Sequence, residues 1–427
     1  MANPLLPASA DDPTAGFTDM QWFMFRQQNI AFYAAFSSLD YDRATLVALA
    51  RRLLEQAPQL AYVAGSASGS SLDGAILAKL VSVETVGDFA GFPEAFLNHP
   101  ADATSDRTLP MFRIRVARLA DAPNAAGRRA FLLVQVSHAL VEGADSALLS
   151  RSQTAVHLES LSQNRTPPAI ATAAHALGSG AALLHLLAGN LVNLRPGPFA
   201  FETRAYPRAQ FSRLARELGV RQRSVFFALV MHTVFSAGTP GGKPRMSCTY
   251  STIDAGGGAH RDPYMRMRML LSRFRNAPDF PAFVRSVDAQ LTLAEARESG
   301  FNAELNAAGL HFHRRFSQIV PWAYTPRVFG FMPYDIVIGL IPPHRLGGAL
   351  TTGLFEPVYA GAATPGANAC VIVPGRELVS FNFYLEQRLV PTVHRLDVLL
   401  ENTFAGGINS LNAMELNGSI QGDNVAI

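Results

Sequence analysis

Apolar and polar residues alternate along residues 111–119 with the two-residue period of a half-buried β-strand. The run Ala130–Ser137 is mostly apolar instead, which is typical of an interior strand covered on both faces. Residues 246–253 and 330–341 also have strand-like patterns, and residues 378–385 alternate cleanly. Strands are therefore predicted in both halves of the chain.

The three-to-four-residue spacing of amphipathic helices occurs between these strands. One helix is predicted to begin at Asp42, because leucines recur on one face and charged residues on the opposite face. Further helices are predicted near residues 211–218 and 394–404 and over Phe280–Arg297. The stretch 224–235 is apolar on nearly every side and predicts a buried helix. Both halves mix helices with strands, so the predicted fold class is α/β with α+β character.

The length of 427 residues is more than one hydrophobic core usually organises, so two domains are expected. We place them at residues 1–170 and 201–427, joined by a linker at 171–200. No charged residue occurs between Arg165 and Arg195, and the stretch is rich in alanine, leucine and glycine. Its internal glycines and asparagines disfavour a membrane span, so a packed crossover helix is expected in preference to a membrane-surface segment.

Composition narrows the class of protein. Charged residues make up 16% and hydrophobic residues 48% of the chain, as in a globular protein with sizeable cores. The formal net charge of +3 does not point to nucleic-acid binding. Cys248 and Cys370 are the only cysteines, so a reducing compartment without a disulfide framework is expected. The N-terminus lacks a secretory pattern, and we expect a cytoplasmic protein, with peripheral contact at the inner membrane left open.

The segment with the clearest chemical content is residues 134–143, where a buried strand ends on His138. Glu142 and Gly143 follow four and five residues later. An imidazole is the side chain best suited to accepting a proton near neutral pH. The glycine allows a sharp turn, and the acid can brace that turn through a salt bridge or backbone hydrogen bonds. The pattern favours a catalytic base held rigidly at the end of a sheet.

This segment resembles the HHxxxDG motif of the wax ester synthase/diacylglycerol acyltransferase family, within the superfamily of chloramphenicol acetyltransferase and peptide-synthesis condensation domains. His138 and Gly143 match the second histidine and the glycine, Ser137 replaces the first histidine, and Glu142 replaces the aspartate. Weaker likenesses to the family occur at residues 17–22, 106–111, 211–228 and 380–404. The family's Asn-Asp pair is replaced by aromatic residues at Phe226 and Phe227, and residues 338–343 stand where an asparagine-containing strand is usual.

The resemblance implies two chloramphenicol acetyltransferase-like subdomains, each a mixed sheet flanked by helices, with an active-site tunnel between them. His138 would take the proton of a hydroxyl or amine acceptor as it attacks an acyl thioester, and return that proton to the leaving thiol. The thioester would be carried by coenzyme A or an acyl carrier protein, with no bound cofactor. Glu142 and Gly143 would be structural, and Ser137 would line the tunnel.

Other residues suggest weaker alternatives. His138 and Glu142 have the spacing of a helical metal pair, but they follow a strand and no third ligand is evident, so no metal site is expected. The glycine-rich stretch 256–260 lacks the lysine and hydroxyl residue of a phosphate loop. Its possible place near the domain junction makes His260 and Arg261 candidate substrate-binding lid residues.

Three further histidines are expected to be structural or incidental. His232 lies in an apolar helix and is predicted to be buried and hydrogen-bonded. His311 and His313 alternate without a cysteine or acid nearby in the sequence.

Two rival functions stay open at this stage. One is a catalytically silent relative that binds an acyl carrier or a lipid. The other is a condensation-type amide synthase, although we expect transfer to oxygen in preference to nitrogen.

Overall fold

The computed structural model describes residues 17, 19–26, 30–56, 58–63, 73–89, 92–98, 106, 108–140, 198–236, 245–253, 267–275, 277, 279–297, 311, 314–315, 317–319, 335–341, 355, 359–363, 367–394 and 396–400. The strands in this part of the chain are β1 (Ile30–Ser37), β2 (Val81–Val86), β3 (Phe112–Leu119), β4 (Ala130–Ser137), β5 (Phe199–Pro207), β6 (Arg245–Ile253), β7 (Met267–Arg275), β8 (Ile336–Leu340), β9 (Tyr359–Ala363), β10 (Ala369–Pro374) and β11 (Leu378–Glu386).

The helices are α1 (Asp19–Arg26), α2 (Arg43–Gln56), α3 (Gly74–Lys79), α4 (Phe92–Asn98), α5 (Arg208–Leu218), α6 (Gln222–Met231), α7 (Phe280–Arg297) and α8 (Val390–Val393). A 3₁₀ turn lies at Pro58–Ala61, a π-helical turn at His232–Ser236, and residues 396–400 are also helical. The helices and strands predicted within the described residues have counterparts here, with boundaries that differ by a few residues. Parts of the elements predicted at 330–341 and 394–404, and most of the crossover helix predicted at 171–200, lie outside the described residues.

The first sheet has the strand order β2-β3-β4-β1-β9. β2 and β3 are parallel, and every other neighbouring pair is antiparallel. β4 lies between β1 and β3, and all of its residues are buried. The apolar run that predicted an interior strand is therefore explained by layers that cover both faces of this sheet.

Helix α2 covers one face of the first sheet. It begins after Asp42, whose carboxylate accepts a hydrogen bond from the backbone N–H of Thr45 at 2.7 Å, as a helix N-cap does. Leu46 and Leu53 are fully buried in a core shared with Ile114 of β3 and other residues of this sheet. The amphipathic spacing thus predicted both the helix and the face that it buries.

The second sheet has the strand order β5-β11-β10-β8-β6-β7. β8 is parallel to both of its neighbours, and the remaining pairs are antiparallel. Helices α5, α6 and α7 pack over one face of it through a second apolar core. Residues 224–231 of α6 are all buried, as its uniformly apolar sequence predicted.

A strand from late in the chain completes the first sheet. β9 pairs antiparallel with β1, and Gly361 lies opposite Phe32. A Cβ atom at Gly361 would lie 2.3 Å from the Phe32 ring, so only glycine leaves room for this ring. Phe32 also meets Phe201 of β5 edge-to-face, with ring centroids 5.1 Å apart. The two sheets are therefore in contact at this point, while the proposed domain boundaries at 170 and 201 stay a prediction.

Within the described ranges, no helix is long and apolar enough to cross a membrane. The predicted crossover at residues 171–200 lies outside those ranges up to residue 197 and stays a prediction.

Candidate active site

His138 is the first residue after β4, the interior strand of the first sheet. β4 is hydrogen-bonded on both sides, by β1 and by β3. The end of such a strand has little freedom to move, because its neighbours fix the register. The imidazole is half-buried, and its Nδ1 atom lies in the interior.

A tight turn carries the imidazole. Leu140 N–H donates to the carbonyl oxygen of Ser137 at 2.9 Å, which closes a four-residue turn with His138 and Ala139 at its centre. Ser137 N–H donates in turn to the carbonyl oxygen of Met111, also at 2.9 Å. These two bonds define the turn at residues 137–140, whereas the sharp turn predicted at Gly143 lies outside the described residues and stays a prediction.

Helix α1 reaches the same turn from elsewhere in the sequence. The side-chain Nε2 of Gln21 donates to the carbonyl oxygen of Ala139 at 3.1 Å. Sequence reasoning missed Gln21, because the two residues lie 118 positions apart. The signal that was available is an amide within the aromatic stretch around Trp22.

Two buried polar side chains precede His138 on one face of β4. Gln135 is 5% exposed and Ser137 1% exposed. Within the described part of the chain, Gln135 Oε1 and Ser137 Oγ have no hydrogen-bond partner. Arg113 of β3 lies directly opposite Gln135 in the sheet. The structure thus places Ser137 beside His138 in the interior, and its contact with substrate stays a prediction.

Four other site residues were predicted from the sequence. Glu142, Gly143, His260 and Arg261 lie outside the described residues. Their assigned roles, two structural and two at a lid, stay predictions.

His311 does have an acid beside it. Its Nδ1 lies 3.1 Å from Oδ2 of Asp19 on α1, and Arg314 Nη1 donates to Oδ1 of the same carboxylate at 3.2 Å. No acid lies near His311 in the sequence, and the fold supplies one from the first half of the chain. This contact is compatible with the structural role expected of His311. His313 lies outside the described residues.

His232 packs against aromatic rings of α7. Its ring centroid lies 5.4 Å from that of Phe280 and 5.7 Å from that of Phe283, and burial lowers the pKa of His232. Its Nδ1 is buried without a hydrogen-bond partner in the described part of the protein. The residue as a whole is partly buried with this nitrogen inside, and the predicted hydrogen bond is absent at this nitrogen.

Neither cysteine is suited to nucleophilic catalysis. Cys248 and Cys370 are fully buried in the second core, and burial raises the pKa of both thiols. The reactive species is the thiolate, so both residues are held in the unreactive form. Among the residues that the structure describes, no group of three or more His, Cys, Asp or Glu side chains could hold a metal ion.

The aromatic pair that replaces the family's Asn-Asp belongs to the second core. Phe226 lies 5.3 Å from Phe211 and 5.8 Å from Phe381 between ring centroids, and Phe227 lies 5.3 Å from Tyr250. Both side chains therefore contribute packing, and neither offers a polar group to a reacting carbonyl.

Two mixed sheets flanked by helices define a fold that several solved structures share. Wax ester synthase/diacylglycerol acyltransferase from Marinobacter aquaeolei VT8 is similar over 94% of this chain and 98% of its own, at 14% identity and a TM-score of 0.52. Trichothecene 15-O-acetyltransferase from Fusarium sporotrichioides is similar over 91% and 94% respectively, at 9% identity and a TM-score of 0.55.

A third similar structure is the nonribosomal peptide synthetase FmoA3. It matches 96% of this chain and 44% of its own, at 13% identity and a TM-score of 0.55. No protein-family model matches the sequence, and no curated protein sequence does. The likeness predicted from the histidine motif is thus confirmed as a shared fold.

Proposed function

We propose that this protein transfers an acyl group from a thioester to a hydroxyl or amine acceptor, with His138 as the general base. The observation that carries the proposal is the position of His138. It follows the interior strand of the first sheet, in a turn fixed by backbone hydrogen bonds, with its ring partly accessible. The acyltransferase names among the similar folds support this chemistry.

The reaction is one of displacement at a carbonyl carbon. The acceptor oxygen or nitrogen attacks the thioester carbonyl while His138 removes the acceptor's proton. The carbon–sulfur bond then breaks, and the imidazolium returns the proton to the leaving thiolate. A positioned base contributes roughly 10²–10⁴-fold, so orientation of the reactants and stabilisation of the oxyanion must supply the remainder.

The donor and acceptor are proposed by class. The donor is an acyl thioester on coenzyme A or on an acyl carrier protein, and donor and acceptor meet at His138 in a tunnel between the two lobes. We propose ester formation ahead of amide formation.

The test is thiol release from acyl thioesters of different chain length, with and without added alcohols or amines. His138→Ala should lower the rate by roughly 10²-fold or more, because it removes the base from the transition state. Thioester binding, followed by calorimetry, should persist in this variant. His394→Ala is the matched control, since His394 is exposed and its Nδ1 lies 2.7 Å from Arg204 on the second sheet.

A silent binding protein is the second candidate. The observation in its favour is that Phe226 and Phe227 are core residues where the family has polar ones. Tight thioester binding without turnover, unchanged in His138→Ala, would establish this alternative. Turnover that persists in His138→Ala would place the chemistry elsewhere in the molecule.

A further inference from the structure

Gln21 is a buried amide on a helix that otherwise contributes apolar side chains to the core. It is 0% exposed, and its neighbours Trp22 and Met24 are buried in the first core. Burying an amide without a compensating hydrogen bond is unfavourable, because the group loses its hydrogen bonds to water. An apolar residue would fill this place without that requirement, so the amide group needs an explanation.

A hydrogen bond from Gln21 holds the peptide group between Ala139 and Leu140. Its Nε2 donates to the carbonyl oxygen of Ala139 at 3.1 Å. The N–H of the same peptide group belongs to Leu140 and donates to the carbonyl oxygen of Ser137 at 2.9 Å. This peptide is therefore held at both ends, at its oxygen by a side chain and at its nitrogen by the turn.

The backbone before His138 is held as well. Ser137 N–H donates to the carbonyl oxygen of Met111 at 2.9 Å, which ties the end of β4 to the start of β3. His138 thus lies between two hydrogen-bonded peptide groups. The backbone that carries its imidazole is therefore held on both sides.

We propose that Gln21 is a positioning residue for His138. By holding the peptide that follows Ala139, it keeps the imidazole aligned with the proton that it must remove. The inference rests on the proposed function, in which His138 is the base. A misplacement of about 1 Å can lower a rate by about 10²-fold, so loss of this bond should lower kcat by roughly tenfold to 10²-fold.

Residues from the second half of the chain hold α1 in place. Asp19 in the first turn of α1 accepts from Arg314 and lies beside His311. Arg314 also donates to the carbonyl oxygen of Phe17 just before the helix. These contacts fix the first turn of α1, the helix that carries the Gln21 amide to the turn after β4.

Gln21→Met tests the proposal, because it removes the donor with little change in side-chain volume. The matched control is Ser37→Ala. Ser37 is also fully buried, and its Oγ lies 3.1 Å from the hydroxyl of Tyr41. It pairs with Ala130 at the opposite end of β4, so the control loses a buried hydrogen bond far from the turn.

Two measurements distinguish positioning from a general loss of stability. In Gln21→Met, kcat should fall by roughly tenfold or more while KM stays within about twofold, and Ser37→Ala should keep the wild-type kcat. In histidine-labelled protein, the NMR titration of His138, assigned by its loss in His138→Ala, should shift or broaden in Gln21→Met alone. Wild-type kcat and a wild-type titration in Gln21→Met would overturn the inference.

Gln21→Glu makes the proposed hydrogen bond to Ala139 dependent on pH. A buried carboxyl has a raised pKa, and in its acid form it can donate a hydrogen bond to the carbonyl oxygen of Ala139. The rate relative to wild type should therefore be highest at low pH and fall as the introduced carboxyl ionises. A ratio that is constant with pH would contradict the proposal, and this comparison remains available if Gln21→Met does not fold.

Failure of this inference can be separated from failure of the proposed function. If the wild type transfers no acyl group from any donor, the proposed function is wrong. The NMR titration of His138 still decides whether Gln21 positions its ring.

Discussion

Two buried polar sites, one in each sheet, have opposite surroundings. In the second sheet Asn382 is 1% exposed, and it accepts from Thr203 Oγ1 at 3.0 Å and donates to the carbonyl oxygen of Val371 at 3.1 Å. In the first sheet Gln135 Oε1 and Ser137 Oγ are equally buried, and within the described part of the chain neither has a partner.

The difference separates polar groups that stabilise the fold from polar groups that weaken it. A satisfied buried hydrogen bond contributes about 1 kcal/mol, whereas an unsatisfied buried group costs about 1–3 kcal/mol. The two unsatisfied oxygens lie within three residues of His138. Unsatisfied buried polar groups reduce stability, and in native proteins they can be retained at a site because they serve its function. Substitutions in the two places should therefore change stability in opposite directions.

The largest effect is expected at Asn382. Asn382→Leu should lower the free energy of unfolding by about 3 kcal/mol, because the Thr203 hydroxyl and the Val371 carbonyl both lose a partner. Urea denaturation measures this change. The double variant Thr203→Val/Asn382→Leu should lose less than the sum of the two single variants, since it removes both sides of one bond. Strict additivity would show that these groups do not interact.

A smaller loss is expected at Asp288 on α7, a partly buried carboxylate of the second region. It accepts from Arg221 Nε at 2.7 Å and Ser224 Oγ at 2.6 Å. Burial by itself would raise the pKa of Asp288, but the hydrogen bonds from Ser224 and Arg221 outweigh it and lower the pKa. Asp288→Asn should lower the free energy of unfolding by about 1–2 kcal/mol at pH 7.

The pH dependence of that loss follows from the sign of the shift. A carboxyl with a lowered folded pKa contributes stability above its unfolded pKa and loses it as the pH falls through the folded value. The difference between wild type and Asp288→Asn should therefore shrink as the pH falls below about 4. Unfolding curves at several pH values measure it, and a difference that grows in acid would mean that the carboxylate is not stabilised by these bonds.

The smallest effect, and the opposite sign, is expected beside His138. Ser137→Ala and Gln135→Met should leave the free energy of unfolding unchanged or raise it by up to about 1 kcal/mol, because each removes an unpaired buried oxygen. Both variants are measured in the same urea experiment. A loss of more than about 1 kcal/mol in either would show that the oxygen has a stabilising partner after all.

Much of the local structure could be predicted from the sequence, because the signals are themselves local. The apolar run of β4 and the leucine spacing of α2 predicted both elements, and the strand before His138 predicted the place of the candidate base. β1 gave a weaker signal. Its sequence, rich in alanine and aromatic residues, indicated burial without the alternation that identifies a strand.

The features that sequence reasoning missed depend on contacts between distant residues. Nothing near Gln21 indicates that its amide will meet Ala139, and nothing near His311 indicates Asp19. The pairing of β9 with β1 likewise depends on how the two sheets meet. Periodicity reports which face of an element is buried, but it does not report which residues lie across from that face.

The place of β9 has a consequence for synthesis and folding. β1 is translated early, and its partner β9 begins only at Tyr359. At the 5–20 residues per second typical of synthesis, roughly 15–65 s separate the two strands. During that interval one side of an apolar strand lacks its native partner, and such a strand is a template for pairing with another chain. Nascent chains halted before β9 should therefore be more prone to aggregation than the finished protein.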